Sequence, residues 1–76
     1  MKVKYLGESF GVDGLTNERE YVCLGVDGEF IRVIDDSGED YLYPIQNPAA
    51  LSGNKGRWVI SSDSEDGILS KYLIVV

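Results

Sequence analysis

Tyr21-Val22-Cys23-Leu24-Gly25-Val26-Asp27-Gly28-Glu29-Phe30-Ile31-Arg32-Val33-Ile34-Asp35-Asp36-Ser37-Gly38-Glu39-Asp40-Tyr41-Leu42-Tyr43-Pro44-Ile45 reads as three short strands joined by two different tight turns. Val26-Asp27-Gly28-Glu29 sets Asp-Gly between alternating apolar runs, a pair that favours the positive φ angles of a two-residue type I′ loop. Asp35-Asp36-Ser37-Gly38 has Asp first and Gly fourth, the pattern of a type I turn closed by a left-handed glycine. The spacing predicts strands over 21–25, 29–34 and 40–45.

Working outward, residues 1–6 read as a first strand, followed by a long loop from Gly7 to Asn17 that Gly7, Gly11 and Gly14 punctuate. Beyond the hairpins, Asn47 is placed to cap a short helical turn, with Pro48 at its first position and Leu51 at its end. Gly53-Asn54-Lys55-Gly56 then turns the chain into a strand over 57–62. Tyr72-Leu73-Ile74-Val75-Val76 is apolar throughout, which predicts a last strand within residues 68–76. The expectation is one all-β domain over 1–76, of five to six antiparallel strands and one short helical turn. Its core lies in 1–62, and 63–76 form an acidic turn and a C-terminal strand.

Alternation sorts the side chains if each strand keeps its period of two. Val22, Leu24, Ile31, Val33, Leu42 and Val59 then share one face. Tyr21, Cys23, Phe30, Arg32, Ile34, Tyr41, Tyr43, Trp58 and Ile60 share the other. Branched aliphatic residues fit a narrow interior without polar atoms to satisfy, so the aliphatic face is expected inside and the aromatic face outside or under covering loops.

Composition narrows the function classes. A chain of 76 residues buries only about 60% of the surface it exposes when unfolded. Its 43% hydrophobic content is nevertheless that of a folded domain. Cys23 is the single cysteine, so no internal disulfide forms and a reducing cytoplasm is expected. Met1-Lys2-Val3-Lys4-Tyr5 opens without an apolar signal region, and no apolar run is long enough to span a bilayer. Thirteen acidic against seven basic residues give a net charge of −6, which disfavours nucleic acid and anionic membranes as partners.

Chemistry is sparse. The absence of histidine removes Ser-His and Cys-His activation and the commonest transition-metal ligand. Cys23 sits mid-strand without a neighbouring cation to lower its pKa and reads as a packed side chain. An EF-hand loop needs Gly at its sixth position and Glu at its twelfth, but a loop starting at Asp35 has Asp40 and Gln46 there. Starting at Asp63, the same positions hold Ile68 and Ile74. Gly11-Val12-Asp13-Gly14 lacks the spacing and the Lys-Ser/Thr ending of a phosphate loop. No catalytic residue, metal or cofactor is expected.

The order strand, long loop, strand, hairpin, strand, hairpin, strand, helical turn, strand resembles the SH3-like barrel over residues 1–62. In that resemblance Gly7 to Asn17 stands for the long first loop and Asp35 to Gly38 for the distal hairpin. Peptide-binding SH3 domains carry an aromatic-rich first loop and a tandem Trp, whereas here Phe10 is the loop's one aromatic and the strand after the first hairpin begins Glu29-Phe30-Ile31. The resemblance thus implies the fold without the proline-rich ligand. In wording, Leu6-Gly7-Glu8-Ser9-Phe10-Gly11, Gly14-Leu15-Thr16-Asn17 and the run from Ile34 to Tyr43 are similar to a family of short uncharacterised bacterial proteins, some of them prophage-associated. That similarity implies no activity.

The reading that follows is a non-enzymatic protein-interaction module. Its expected binding residues are Phe10, Tyr21, Phe30, Arg32, Tyr41, Tyr43 and Trp58, since aromatic side chains and Arg dominate protein interfaces. The alternative is an acidic inhibitor or decoy of a mobile element that presents Asp35, Asp36, Glu39, Asp40, Asp63, Glu65 and Asp66 to a basic protein surface. The C-terminal strand is also an edge through which two copies can pair as a homodimer.

Overall fold

The second hairpin turn forms as its residues dictate. The Gly38 amide donates to the Asp35 carbonyl at 3.0 Å, Gly38 takes φ 82°, and the Asp35 amide closes the loop onto the Glu39 carbonyl at 3.2 Å. The first turn is displaced by one residue from its expected centre. Asp27 pairs with Phe30, so Gly28 and Glu29 form the loop, and the positive φ falls on Gly28 alone at 62°. A lone left-handed glycine at the first central position belongs to a type II′ turn rather than type I′.

In the computed structural model, which describes residues 1–10 and 14–73, these hairpins belong to one antiparallel sheet. Its strands are β1 (Lys2–Gly7), β2 (Glu20–Asp27), β3 (Phe30–Ile34), β4 (Asp40–Pro44) and β5 (Gly56–Ser62), in the order β4-β3-β2-β1-β5. Among the described residues no ladder joins β4 to β5, so the sheet stays open. A single side-chain bond spans the gap: the Trp58 indole N–H donates to the Pro44 carbonyl at 3.2 Å. The helical turn before β5 is a 3-10 helix over Ala50–Ser52. Its cap position is Ala49 rather than Asn47, and no side chain caps it; Asn47 Oδ1 instead accepts from the Ala49 amide at 3.2 Å and the Gly56 amide at 3.0 Å, tying the turn to the start of β5.

The tail differs from expectation. Ile68–Tyr72 is a short helix, α1, rather than part of a strand. Leu69 and Leu73, one helical turn apart, both lie in the core. The Asp63 carboxylate accepts from the amides of Leu69 and Ser70 and from the Ser70 hydroxyl, at 2.8, 2.9 and 2.6 Å. Ser64 Oγ takes the Ile68 amide at 3.1 Å. These acceptors satisfy first-turn amides that a helix leaves unpaired. Positions 11–13 of the glycine-rich loop and 74–76 of the expected strand lie outside the described residues.

The expected division into an aliphatic inside and an aromatic outside is corrected in β4 and β5 by the registers that set Leu42 opposite Arg32 and Trp58 opposite buried Tyr5, and in β2 by a bulge. Val26 pairs with Ile31 and Gly25 with Arg32, but Cys23 pairs with Val33, so a bulge adds Leu24 to β2 with no partner of its own. An uninterrupted ladder would set Leu24 opposite Val33 and carry Val22 and Leu24 inward. The extra residue flips every side chain before it. Tyr21 and Cys23 therefore join Val3, Tyr5, Ile31, Val33 and Trp58 in the core, while Val22 and Leu24 face out.

Packing at the β1–β5 contact is close enough to test. A Cβ on Gly56 would stand 2.5 Å from Cε1 of the fully buried Tyr5, whereas a Cβ on Gly25 would meet nothing within 4 Å. Gly56→Ala is expected to cost about 1–3 kcal/mol by overpacking. Gly25→Ala should be neutral or stabilise by about 0.5–1 kcal/mol by restricting the unfolded chain. Urea melts of the two variants check the pair, and equal midpoints would contradict it.

Candidate binding surface

The seven residues expected on one aromatic face are divided by the structure. Tyr21 and Trp58 are core residues, 5% and 6% exposed. Trp58 is the hub of an aromatic cluster, edge-on to Tyr5, Tyr21 and Tyr43 at centroid distances of 5.8, 6.5 and 6.2 Å. Phe10 half-buries itself against Tyr5 and Tyr43 at 5.9 and 6.5 Å. Phe30 and Tyr41 are exposed and Arg32 is half-exposed. Tyr41 pairs with Val33 and so belongs to the inner side of edge strand β4, with its hydroxyl on Glu39 at 3.0 Å.

The surface that faces outward is instead apolar and mostly aliphatic. Val22, Leu24, Phe30 and Leu42 are 42%, 53%, 42% and 39% exposed, a high value for large apolar side chains on three adjacent strands. Arg32 stands among them, opposite Leu42 on one side and Gly25 on the other, and its guanidinium donates to Asp40 Oδ2 at 2.8 Å. Periodicity alone assigns Val22, Leu24 and Leu42 to the interior. For Val22 and Leu24 the signal that points the other way is Gly25, because a glycine inside a strand often marks a bulge.

A polar network on the inner side fixes the long loop to the second hairpin. The Tyr21 hydroxyl accepts from the Thr16 amide at 2.7 Å and donates to Asp36 Oδ1 at 3.0 Å. Asp36 also takes the Thr16 hydroxyl at 2.8 Å and Arg19 at 3.1 Å, and its amide donates to the Gly14 carbonyl at 3.0 Å. Beside it, buried Asp35 accepts the Tyr43 hydroxyl at 2.6 Å, the Ser37 amide at 2.9 Å and the Ser37 hydroxyl. Burial works to raise the Asp35 pKa, but the bonds from Ser37 and Tyr43 outweigh it and hold the carboxyl below its ordinary value. Burial, aided by the Asp35 carboxylate, drives the Tyr43 phenol well above its own, so it stays a neutral donor.

Three of the seven acidic candidates, Asp35, Asp36 and Asp63, thus spend their oxygens on internal bonds, and Asp40 is paired with Arg32. Glu39, Glu65 and Asp66 are exposed. Burial pushes the Cys23 thiol up, away from thiolate chemistry, and its sulfur lies 3.6 Å from the Gly25 carbonyl. Among the described residues, no three of Cys, Asp or Glu gather into a group able to hold a metal ion, and no helix is long and apolar enough to cross a membrane. Fold and surface together describe a small, mostly β domain with one unpartnered sheet face. No family model, curated protein or solved structure matches the chain.

The carboxylates set the acid response. Asp63 is held at about 2, first by the Ser70 hydroxyl, which burial opposes, and then by the amides of Leu69, Ser70 and Ser64. A carboxyl with a folded pKa below its unfolded value contributes stability above the unfolded pKa and loses it as the pH falls through the folded one. Stability is therefore expected to hold above the ordinary carboxylate range and to fall from roughly pH 4 toward pH 2. Asp63→Asn should make that fall shallower in denaturant midpoints taken across pH. An unchanged acid limb would contradict the role given to Asp63.

Proposed function

We propose that this chain is a non-enzymatic protein-interaction domain, built as an SH3-like barrel, that docks a partner on the outer face of β2, β3 and β4. The SH3-like reading is supported by the strand order β4-β3-β2-β1-β5, by the 3-10 turn ahead of β5, and by the Trp58–Pro44 bond that draws the two sheet edges together. The observation that carries the function is the exposure of Val22, Leu24, Phe30 and Leu42 around Arg32. Contiguous apolar residues on a small acidic domain lower solubility unless something covers them, and Phe and Arg are typical interface anchors. Catalysis has little to draw on, since the chain lacks histidine, its thiol is buried and its buried carboxylate Asp35 serves as a hydrogen-bond acceptor.

Leu24→Thr with Leu42→Thr tests this reading, because Thr keeps β propensity while removing most of the apolar surface. Loss of two central anchors is expected to cost about 2 kcal/mol or more of binding, roughly thirtyfold in affinity. Stability should change little, as both side chains are exposed. The measurement is cross-linking capture from the native host with wild-type and variant chains, with circular dichroism as the folding control. Recovery of every wild-type partner by a folded variant would refute the face.

A further inference from the structure

β5 stands at one end of the strand order, and the direction of its backbone groups follows from β1. The Tyr5 amide donates to the Arg19 carbonyl at 3.0 Å and the Tyr5 carbonyl accepts from the Glu18 amide at 2.8 Å, so both point away from β5. Tyr5 lies opposite Trp58, which makes that pair non-hydrogen-bonded and turns the Trp58 amide and carbonyl to the outer edge. The same alternation turns out the groups of Ile60, opposite Val3, and of Gly56, whose amide donates to Asn47 Oδ1 at 3.0 Å. Among the described residues the edge groups of Trp58 and Ile60 have no backbone partner. The opposite edge is blunted. The Ile45 amide donates to the Glu29 carbonyl at 2.9 Å, so Leu42 and Pro44 face outward on β4, where Pro44 has no amide hydrogen and its carbonyl takes the Trp58 indole.

Charge is polarised along the same strand. Exposed Lys55 and Arg57 stand at its start, Asp63, Glu65 and Asp66 follow its end, and no acidic residue lies between Asp40 and Asp63. Such a strand is complementary to itself when run antiparallel. With Val59 on a twofold axis, Trp58 of each copy pairs with Ile60 of the other through the free edge groups, an aromatic residue against a β-branched one on the inner side. Val59 meets Val59 on the outer side, and the basic end of one strand runs toward the other copy's Asp63. We propose that two copies of the chain associate through their β5 edges in this register. β5 and β4 are at opposite ends of the sheet, so the dimer leaves the outer face of β2, β3 and β4 open, and the proposal does not rest on the docking face. A strand-to-strand contact is small, so the dimer is weak and concentration-dependent.

The test is sedimentation velocity of the full chain at rising concentration, beside Val59→Lys, Val59→Glu and an equimolar mixture of the two, with circular dichroism as the folding control. The wild-type chain is expected to move from monomer toward dimer, less so as salt is added, because the basic and acidic ends attract. Either substitution sets like charges opposite each other on the axis and should weaken self-association by about fivefold or more. Mixing them sets Lys against Glu and should restore association. Lys55→Glu/Arg57→Glu, changed only at exposed side chains, should weaken it too and serves if a chain altered at position 59 does not fold. A wild-type chain that stays monomeric up to its solubility limit overturns the proposal. So does a dimer that these substitutions leave unchanged, or a mixture that associates no better than either variant alone. A dimer that Leu24→Thr/Leu42→Thr dissociates instead pairs through the outer face, and also overturns it.

Discussion

The bulge at Leu24 is the constraint on which the rest of the structure depends. The hairpin closed at Asp27 and Phe30 sets one register, and the single unpaired residue between Cys23 and Gly25 replaces it with another. A one-residue shift exchanges the two faces of a strand. Tyr21 and Cys23 turn inward as a result, which brings Tyr21 against Trp58 and its hydroxyl to Asp36. The same shift turns Val22 and Leu24 out beside Phe30, Arg32 and Leu42. The inward turn of Tyr21 and Cys23, the loop anchorage through Tyr21 and the exposure of Val22 and Leu24 are thus three consequences of one extra residue.

An aromatic interior suits a chain this small. Each buried ring removes a large apolar area from water, which a short chain cannot match with aliphatic residues alone. The difficulty is the polar atom at the ring's end. Here each finds a partner: Tyr5 donates to the Glu8 carbonyl, Tyr43 to Asp35, Tyr21 to Asp36 and Trp58 to the Pro44 carbonyl. Among the described residues no buried side-chain nitrogen or oxygen lacks a hydrogen bond. Those bonds also tie separate segments together, so the polar tips position loops as well as satisfy burial.

Local signals in the sequence were enough for most of the sheet. Asp35 and Gly38 define their turn through contacts within four residues, and alternation places β1 to β5 to within two residues at most ends. The faces were not legible in the same way, because a bulge belongs to the pairing of two strands rather than to either one. Gly25 was its trace, and period-two reasoning passes over a glycine. In the tail, the apolar run over 72–76 is the louder signal in the sequence, whereas the helix is set by the quieter Leu69–Leu73 spacing and by bonds from Asp63 and Ser64 that act across several residues. Of the candidate site, alternation places Phe30 and Arg32 on the outer face; it sends Val22 and Leu24 inside because the bulge is hidden from it, and Leu42 inside because the register of the second hairpin, which sets Leu42 opposite Arg32, is not written in either strand alone.

Thiol reactivity at adjacent positions of β2 tests the register most directly. In the native chain Cys23 is 2% exposed, and it is predicted to react with an aromatic disulfide reagent only as fast as the domain opens. In a Cys23→Ala background, Leu24→Cys is predicted to react at the rate of a solvent-exposed thiol without unfolding. A native Cys23 that reacts freely, with a protected thiol at position 24, would contradict the bulge and with it the exposed face.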